Sequence, residues 1–435
     1  MRVALIERRR TRAGSEQVLS FLVGARETVE VTGHLMDSGI LSRILDDIRH
    51  YGADYAIDEL DVGHEADDPS SARITIEAED AESLQRLLMR LQTRGVNQLD
   101  PGEAVVGVAE RAGVLPDGFY STTNLETRVC LDGLWYDVEN PEMNCGLVVA
   151  AAPDGGTRVR TVPLSEVEVG MRVLVGASGI LVSVPCQSTG DGATLAASDG
   201  DAVEKPQTVV VRQVADGMRW AKADGKRLLW VAGPEVVHTG AVPALVALIG
   251  AGFVDTLFAG NALATHDIES SLYGSTLGID LSKAQGVEHG HEHHVRALNT
   301  VRKSGSIARA VAEGAVTSGI MHGLVTHDKQ YVLVGSVRDD GPLPDVYTDV
   351  VDGQRAMRAE IHDIGYCVML ATQLYSVATA NILPARVPLV CVDIDPRTVT
   401  KIADRGSNPG RGIVADVGLF LEQLALELVP DYRRA

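Results

Sequence analysis

No apolar run in this chain is followed by GxGxxG, the glycine pattern with which a strand-to-helix turn commonly cradles a dinucleotide pyrophosphate. Aromatic residues make up only 4% of the sequence, which argues against the base-stacking platforms of single-stranded nucleic-acid binders. Positive charge is also short: the formal net charge is -20, so a polyanionic partner is not expected. The five cysteines, Cys130, Cys145, Cys186, Cys367 and Cys391, are scattered and contain no CxxC pair. That excludes a disulfide framework and a zinc ribbon and points to a reducing compartment. Long apolar runs are missing too, since 240–260 is interrupted by Gly, Pro and Asp and reads as helix, turn and strand. The start, MRVALIERRRTRAG, is basic without the apolar core of a signal peptide. A cytoplasmic protein without a membrane span is expected.

What is present is enough apolar material for several cores. With 435 residues and 45% hydrophobic content, two or three domains are expected. We divide the chain at 1–115, 116–206 and 207–435. In the first unit, 28–33, 54–63 and 72–80 alternate as strands, while 38–52 and 81–95 carry apolar residues at helical spacing. The resulting βαββαβ order is the ferredoxin-like arrangement. The second unit, from about 127 to 186, holds short β runs between Gly, Asp and Pro turns and suggests a small barrel or sandwich. Its tail, 190–206, reads as a linker.

From 207 onward, strand-length apolar runs at 227–232, 254–259, 331–336, 366–371, 388–394 and 412–417 alternate with helical stretches. Near-continuous Val, Leu and Ile strands separated by helices indicate an α/β fold with a Rossmann-type parallel sheet covered on both faces. Ligands of such sheets bind at the carboxyl ends of the strands. Small and polar residues follow every one of the first five runs: GPEVVHTGA (233–241), GNALATHDIE (260–269), VRDDGPLP (337–344), TQLYSVATANILP (372–384) and DPRTVTKIADRGS (395–407). A lined crevice accounts for this better than five unrelated solvated loops. The turn from Gly233 to Gly240 could present backbone N–H groups to a phosphate ahead of a helix begun by Ala241 and Pro243. Asp393 stands where an acidic residue can hold ribose hydroxyls, although a helix N-cap would explain it equally well. The cluster His289, His291, His293 and His294 could ligate a metal. It lacks a Cys neighbour and regular two-His helical spacing, so a substrate-facing or merely polar loop is the reading adopted, with no metal.

These loops, together with GHLMDSGIL (33–41), GVLPDGFYSTTNLET (113–127), LYGSTLGIDL, VDIDP and TKIADRGS, resemble the NAD-dependent ornithine cyclodeaminases of archaeal type. That family carries an N-terminal region named for lysine-ketoglutarate reductase/saccharopine dehydrogenase (LOR/SDH). The resemblance implies a C-terminal domain similar to the deoxyhypusine-synthase NAD fold, and NAD as a cofactor restored within each turnover. Hydride leaves Cα of ornithine, the side-chain amine attacks the resulting imine, ammonia departs, and the returning hydride gives proline. It further implies a cofactor site among Gly233, His238, Thr239, Gly240, Gly260, Asn261, Ala262, Ser336, Asp339, Thr379, Asn381, Asp393 and Lys401. Catalytic groups are expected among His266, Asp267, Glu269, His294, Arg338 and Asp340, with His291 a further candidate. Arg338 or Lys401 would take a carboxylate or phosphate, Asp267 or Asp340 an amine, and a His the proton. Asp339 and Asp340 could equally form a salt-bridged turn.

The family pattern implies His at Tyr375, Gly at Ala380 and Asp at Asn144, a Ser-Glu-Arg-Pro-like run at 203–206, and Gly at Glu288. Replacing His by Tyr removes a group that titrates near neutrality. An amino-acid dehydrogenase or ammonia-lyase on a related amino acid therefore stays open. So does a non-catalytic sensor of NAD or amino acid. A homo-oligomer with a small amino-acid substrate, and no nucleic-acid or membrane partner, completes the expectation.

Overall fold

The computed structural model describes residues 24–33, 35, 40–63, 68, 70–152, 155–183, 207–276, 279–280, 285–286, 293–339, 341–403 and 411–433. The expected linker at 190–206 lies outside them, as do Asp340, Glu288, His289 and His291.

The first unit runs β1 (Ala25–Gly33), α1 (Ile40–His50), β2 (Asp54–Asp61), β3 (Ser70–Ala78), α2 (Ala81–Gln92) and β4 (Asn97–Gln98). Its strands pair in the order β2-β3-β1-β4, the split βαββαβ topology read from the sequence. The period-2 pattern buries Val29, Val31, Ile74 and Ile76 on one sheet face, against Ile44, Ile48, Leu87 and Leu91 of the two helices. Asp80 starts α2 by accepting the Ser83 N–H at 2.7 Å.

The second unit contains β5 (Val105–Val108), β6 (Glu126–Leu131), β7 (Leu134–Glu139), β8 (Gly146–Ala151), β9 (Thr157–Val162), β10 (Arg172–Val175) and β11 (Ile180–Ser183). These make one seven-stranded sheet, β11-β6-β7-β9-β8-β10-β5. Among the described residues no ladder joins β11 to β5, but just ahead of β5 the Ala104 N–H donates to the Cys130 carbonyl at 3.0 Å and the Pro101 carbonyl accepts the Gly179 N–H, so the chain curls back onto the β6 and β11 end as a small barrel would. Neighbouring residues of β8 point to opposite faces, Leu147 and Val149 into one core and Val148 into another. Asn97 ties the first unit to this sheet, donating to the Val182 carbonyl at 2.9 Å and accepting its N–H at 2.8 Å.

The third unit begins with α3 (Gln207–Ala223), β12 (Arg227–Ala232), α4 (Glu235–His238), α5 (Val242–Gly250), β13 (Thr256–Gly260) and α6 (Asn261–Tyr273). A three-stranded ribbon follows, β14 (Ser275–Thr276), β15 (Ile279–Asp280) and β16 (Gln285–Gly286). Then come α7 (His293–Ser304), α8 (Ile307–Ala312), α9 (Ile320–Thr326), β17 (Gln330–Val334), β18 (Val346–Tyr347), α10 (Val350–Glu360) and β19 (Ile364–Leu370). The chain ends through α11 (Gln373–Ile382), β20 (Leu389–Asp393), α12 (Pro396–Ala403), β21 (Arg411–Val414) and α13 (Val417–Leu428). Each of the six expected strand runs contains or overlaps an observed strand.

These strands form a wholly parallel sheet, β18-β17-β13-β12-β19-β20-β21. Leaving aside the two-residue edge strand β18, the order is 3-2-1-4-5-6, that of dinucleotide-binding sheets. Strand order reverses between β12 and β19. Alternating along β12, Leu228 and Trp230 face the core containing α4 and α5, while Leu229 and Val231 face the core containing α11. Helices therefore leave the carboxyl ends of β12 and β19 on opposite faces, and a crevice opens between the two returns.

The crevice floor requires a glycine. A Cβ on Gly233 would overlap the carbonyl oxygen of Ala371, and Gly233 N–H donates to the Leu370 carbonyl at 2.9 Å. Ala371 itself has φ +43, a left-handed conformation uncommon for a residue with a side chain. Gly233→Ala is expected to lower unfolding stability by about 1–3 kcal/mol, the usual range for forced overpacking, measured by chemical denaturation. An unchanged midpoint would show that the strand ends part freely.

Candidate active site at the carboxyl edge of the sheet

The first wall of the crevice is the return after β12. Thr239 closes α4 by donating to the Glu235 carbonyl at 2.9 Å, and Gly240 takes φ +75 before α5 begins with Pro243 in its first turn. Gly260 ends β13, and a Cβ there would stand 2.8 Å from the Tyr375 hydroxyl. That hydroxyl crosses to β17 and donates to the Val334 carbonyl at 2.7 Å. Tyr375 thus lies over the ends of β13 and β17 from the second wall, the return after β19. Burial first, and the charge of Asp339 second, push its phenol up to about 12, so it stays protonated and acts as a donor.

Asn261 opens α6 buried, accepting the Leu343 N–H at 3.0 Å, with Ala262 beside it. After β17, Asp339 accepts the Ser336 N–H at 2.8 Å and the Ser336 hydroxyl accepts the Arg338 N–H at 3.2 Å. Asp339 is therefore committed to a local turn, and Arg338 is exposed beside it. Asp393 accepts the Asp395 N–H at 2.8 Å, and Lys401 is exposed on α12.

A cluster of imidazoles lies beside this edge. His238 at the end of α4 stacks edge-on with His266 of α6 at 5.1 Å between centroids, and His266 lies 5.2 Å from His294 of α7. The i,i+3 spacing puts Glu269 on the same face of α6 as His266, and their Oε2 and Nδ1 are 3.2 Å apart. Ser275 reaches the other Glu269 oxygen at 3.4 Å and His293 at 2.7 Å. His266, Glu269 and His294 each bring one donor atom to within 4.8 Å of the others, a set that could hold a cation. Burial, then the neighbouring His266, lowers the pKa of His238, while Glu269 opposes the shift. His238 is accordingly neutral near pH 7.

Two expected site residues are placed differently. Asp267, expected to meet an amine, turns to another neighbour: its carboxylate accepts the N–H groups of Ile320 and Met321 at 2.7 and 2.8 Å, capping α9. Gly319 leaves room for it, since a Cβ there would come within 2.7 Å of both oxygens. Asn381 lies at the far end of α11, about 12 Å along the axis from Gln373. Its carbonyl accepts the Met143 N–H at 2.7 Å, and it lines a cavity of about 290 Å³ against the second unit rather than the crevice. Thr379 is fully buried in α11.

Sequence reasoning missed Glu142, a carboxylate only 4% exposed that accepts Arg358 Nε at 2.9 and 3.1 Å and the Cys145 thiol at 2.7 Å. It sits in the EMNCG run, two residues before the Asn144 that was singled out. This ion pair joins the second unit to α10.

A parallel sheet of order 3-2-1-4-5-6, with its switch-point crevice beside a buried imidazole–carboxylate cluster, defines a dinucleotide-dependent enzyme of the Rossmann class. Three family models cover the chain. They are the LOR/SDH bifunctional enzyme conserved region at 26–125, the first region of the C-terminal part of arginine dihydrolase ArgZ-like proteins at 126–211, and their C-terminal Rossmann fold at 212–424. The ornithine cyclodeaminase of Methanothermobacter thermautotrophicus is 45% identical over 401 residues, 92% of this chain and 97% of that protein. The chain belongs to the ornithine cyclodeaminase family, whose members are NAD-dependent enzymes.

Among solved structures, apo ArgZ, an arginine dihydrolase from cyanobacteria, matches with a TM-score of 0.81 and 31% identity, over 95% of this chain. The complex of AgrE with ornithine and NAD+ matches with a TM-score of 0.51 and 34% identity, over 94% of this chain. The chain spans 60% and 59% of those longer proteins.

Burial raises the pKa of Asp267 to about 7 against the pull of its two backbone hydrogen bonds. The folded protein then keeps a proton that the unfolded chain releases near pH ~4. Stability is thus greatest below that pH and declines up to about 7. Asp267→Asn should flatten this slope. It should also lower stability by about 1–3 kcal/mol, since its amide nitrogen faces a backbone N–H, as thermal melts across pH would show.

Proposed function

We propose that the protein converts ornithine to proline and ammonia by internal hydride transfer with NAD held at the β12/β19 switch point. The observation that carries this reading is the crevice itself, opened where the returns after β12 and β19 leave on opposite faces, in a chain of this family. Bound NAD supplies one thing, a hydride acceptor that becomes the hydride donor within the same turnover. In this reading Gly233, Thr239 and Gly240 after β12 and Gly260 and Asn261 after β13 would hold the cofactor, with Asp393 at the end of β20 beyond the second wall. Gly240 is exposed, and among the described residues nothing lies within 4 Å of where its Cβ would stand, so the backbone ahead of α5 fits a close-lying cofactor.

The chain's own groups handle substrate and protons. Arg338, exposed after β17, would bind a carboxylate with both oxygens. Neutral His238 and its neighbours His266 and His294 can accept and return the protons that the change from amine to imine requires. Asp267 is structural in this reading. Tyr375, where the family pattern implies His, donates from a fixed hydroxyl and orients the β13 and β17 ends rather than titrating.

The same reading keeps three units but moves the first boundary from 115 to before Val105, because β5 pairs with β10 of the second sheet; the third unit, 207–435, opens with α3 ahead of the parallel sheet. It assigns a cytoplasmic homo-oligomer: Cys130, Cys145, Cys367 and Cys391 are free and buried, as a reducing compartment allows. No helix among the described residues is long and apolar enough to cross a membrane.

Purified protein given ornithine and catalytic NAD+ should form proline and ammonia in equal amounts with no net NADH. Stoichiometric NADH would mark a dehydrogenase instead, and tight binding without turnover a sensor.

A further inference from the structure

Glu269 is wholly buried, yet among the described residues no Lys or Arg reaches it; its partners are His266 and Ser275. A buried carboxylate without a positive partner is unfavourable, and among the described residues Glu269 has none, so a cation brought in by a ligand would be stabilised there. The donor atoms of His266, Glu269 and His294 lie within 4.8 Å of one another. Acceptors around a tetrahedral ammonium at ~2.8 Å stand about 4.6 Å apart, a spacing which that bound admits. A further imidazole, His238, packs on His266 with its Nε2 buried and without a partner among the described residues.

We propose that Glu269 receives the distal ammonium of the diamino-acid substrate and that His266 is the base that frees this amine for ring closure. The inference rests on the function proposed above and names the residues that make the enzyme select a diamine. His266 Nδ1–H donates to Glu269, which leaves Nε2 as the proton acceptor. The distal ammonium gives one proton to Nε2. The freed lone pair forms a C–N bond to the α-carbon of the protonated imine (C=NH2+) that hydride loss leaves, and the C=N π pair moves to the α-nitrogen. His266 returns its proton to that nitrogen. The old C–N bond then breaks with its pair on the departing ammonia, and a cyclic C=N remains, its nitrogen having lost a second proton to solvent.

The test measures binding in the presence of NADH, which blocks oxidation, and compares ornithine with norvaline, its equivalent lacking the distal amine. Wild type should prefer ornithine, and Glu269→Gln should cut that preference roughly 10- to 100-fold while NADH affinity stays within about twofold. Glu269→Asp should restore part of it and serves as the decisive variant if the glutamine form does not fold. His266→Asn should keep ornithine binding within about twofold while kcat falls roughly 100-fold or more. An unchanged preference in both Glu269 variants would overturn the inference. So would a stoichiometric divalent metal in the purified wild type that is lost in Glu269→Gln. If wild type binds ornithine but forms no proline, the function proposed above fails, while the binding comparison still decides the role of Glu269.

Discussion

Where β12 and β19 end side by side, the backbone at Gly233 packs so closely on the carbonyl of Ala371 that no side chain fits between them. Everything proposed for the site depends on that contact. It holds together the two strands whose helices leave on opposite faces, and so fixes the width and floor of the crevice. Tyr375 braces the second wall by crossing to Val334 over Gly260. The missing GxGxxG is thus compatible with dinucleotide binding: single glycines at 233, 240 and 260 meet local demands that the usual fingerprint gathers into one turn.

Two carboxylates two residues apart on α6 illustrate how one helix serves both fold and chemistry. Asp267 faces α9 and has two backbone N–H groups as partners. Glu269 faces the imidazoles and has no fixed cation among the described residues. Both are fully buried, but only the second is left with an unmet electrostatic demand. Burial alone does not mark a catalytic acid; the identity of its partners does.

The parallel sheet was legible because strands covered on both faces must be continuously apolar, as in RLLWVA with its Trp230 wholly buried. The first unit was legible from its alternation of periods 2 and 3.6. The strand at Val105–Val108 was harder: its run is too short to declare a partner, and it pairs with β10 of the second unit. In the site, the pairing of His266 with Glu269 follows from helical spacing, whereas the meeting of His238, His266 and His294 joins three separate helices and needs the fold. Asn381 misled because a loop-like string, ATANILP, continues a helix that carries it away from the strand ends. Glu142 and Arg358, 216 positions apart, carry no sequence signal of their pairing.

The central claim is that a hydride leaves and returns to one carbon without exchanging with the surroundings. The direct measurement uses ornithine deuterated at Cα with catalytic NAD+, followed by mass spectrometry of the proline formed. The account predicts proline that keeps the deuterium at Cα, with none in the free cofactor pool. Proline carrying protium at that carbon, or label accumulating in free NADH, would contradict it.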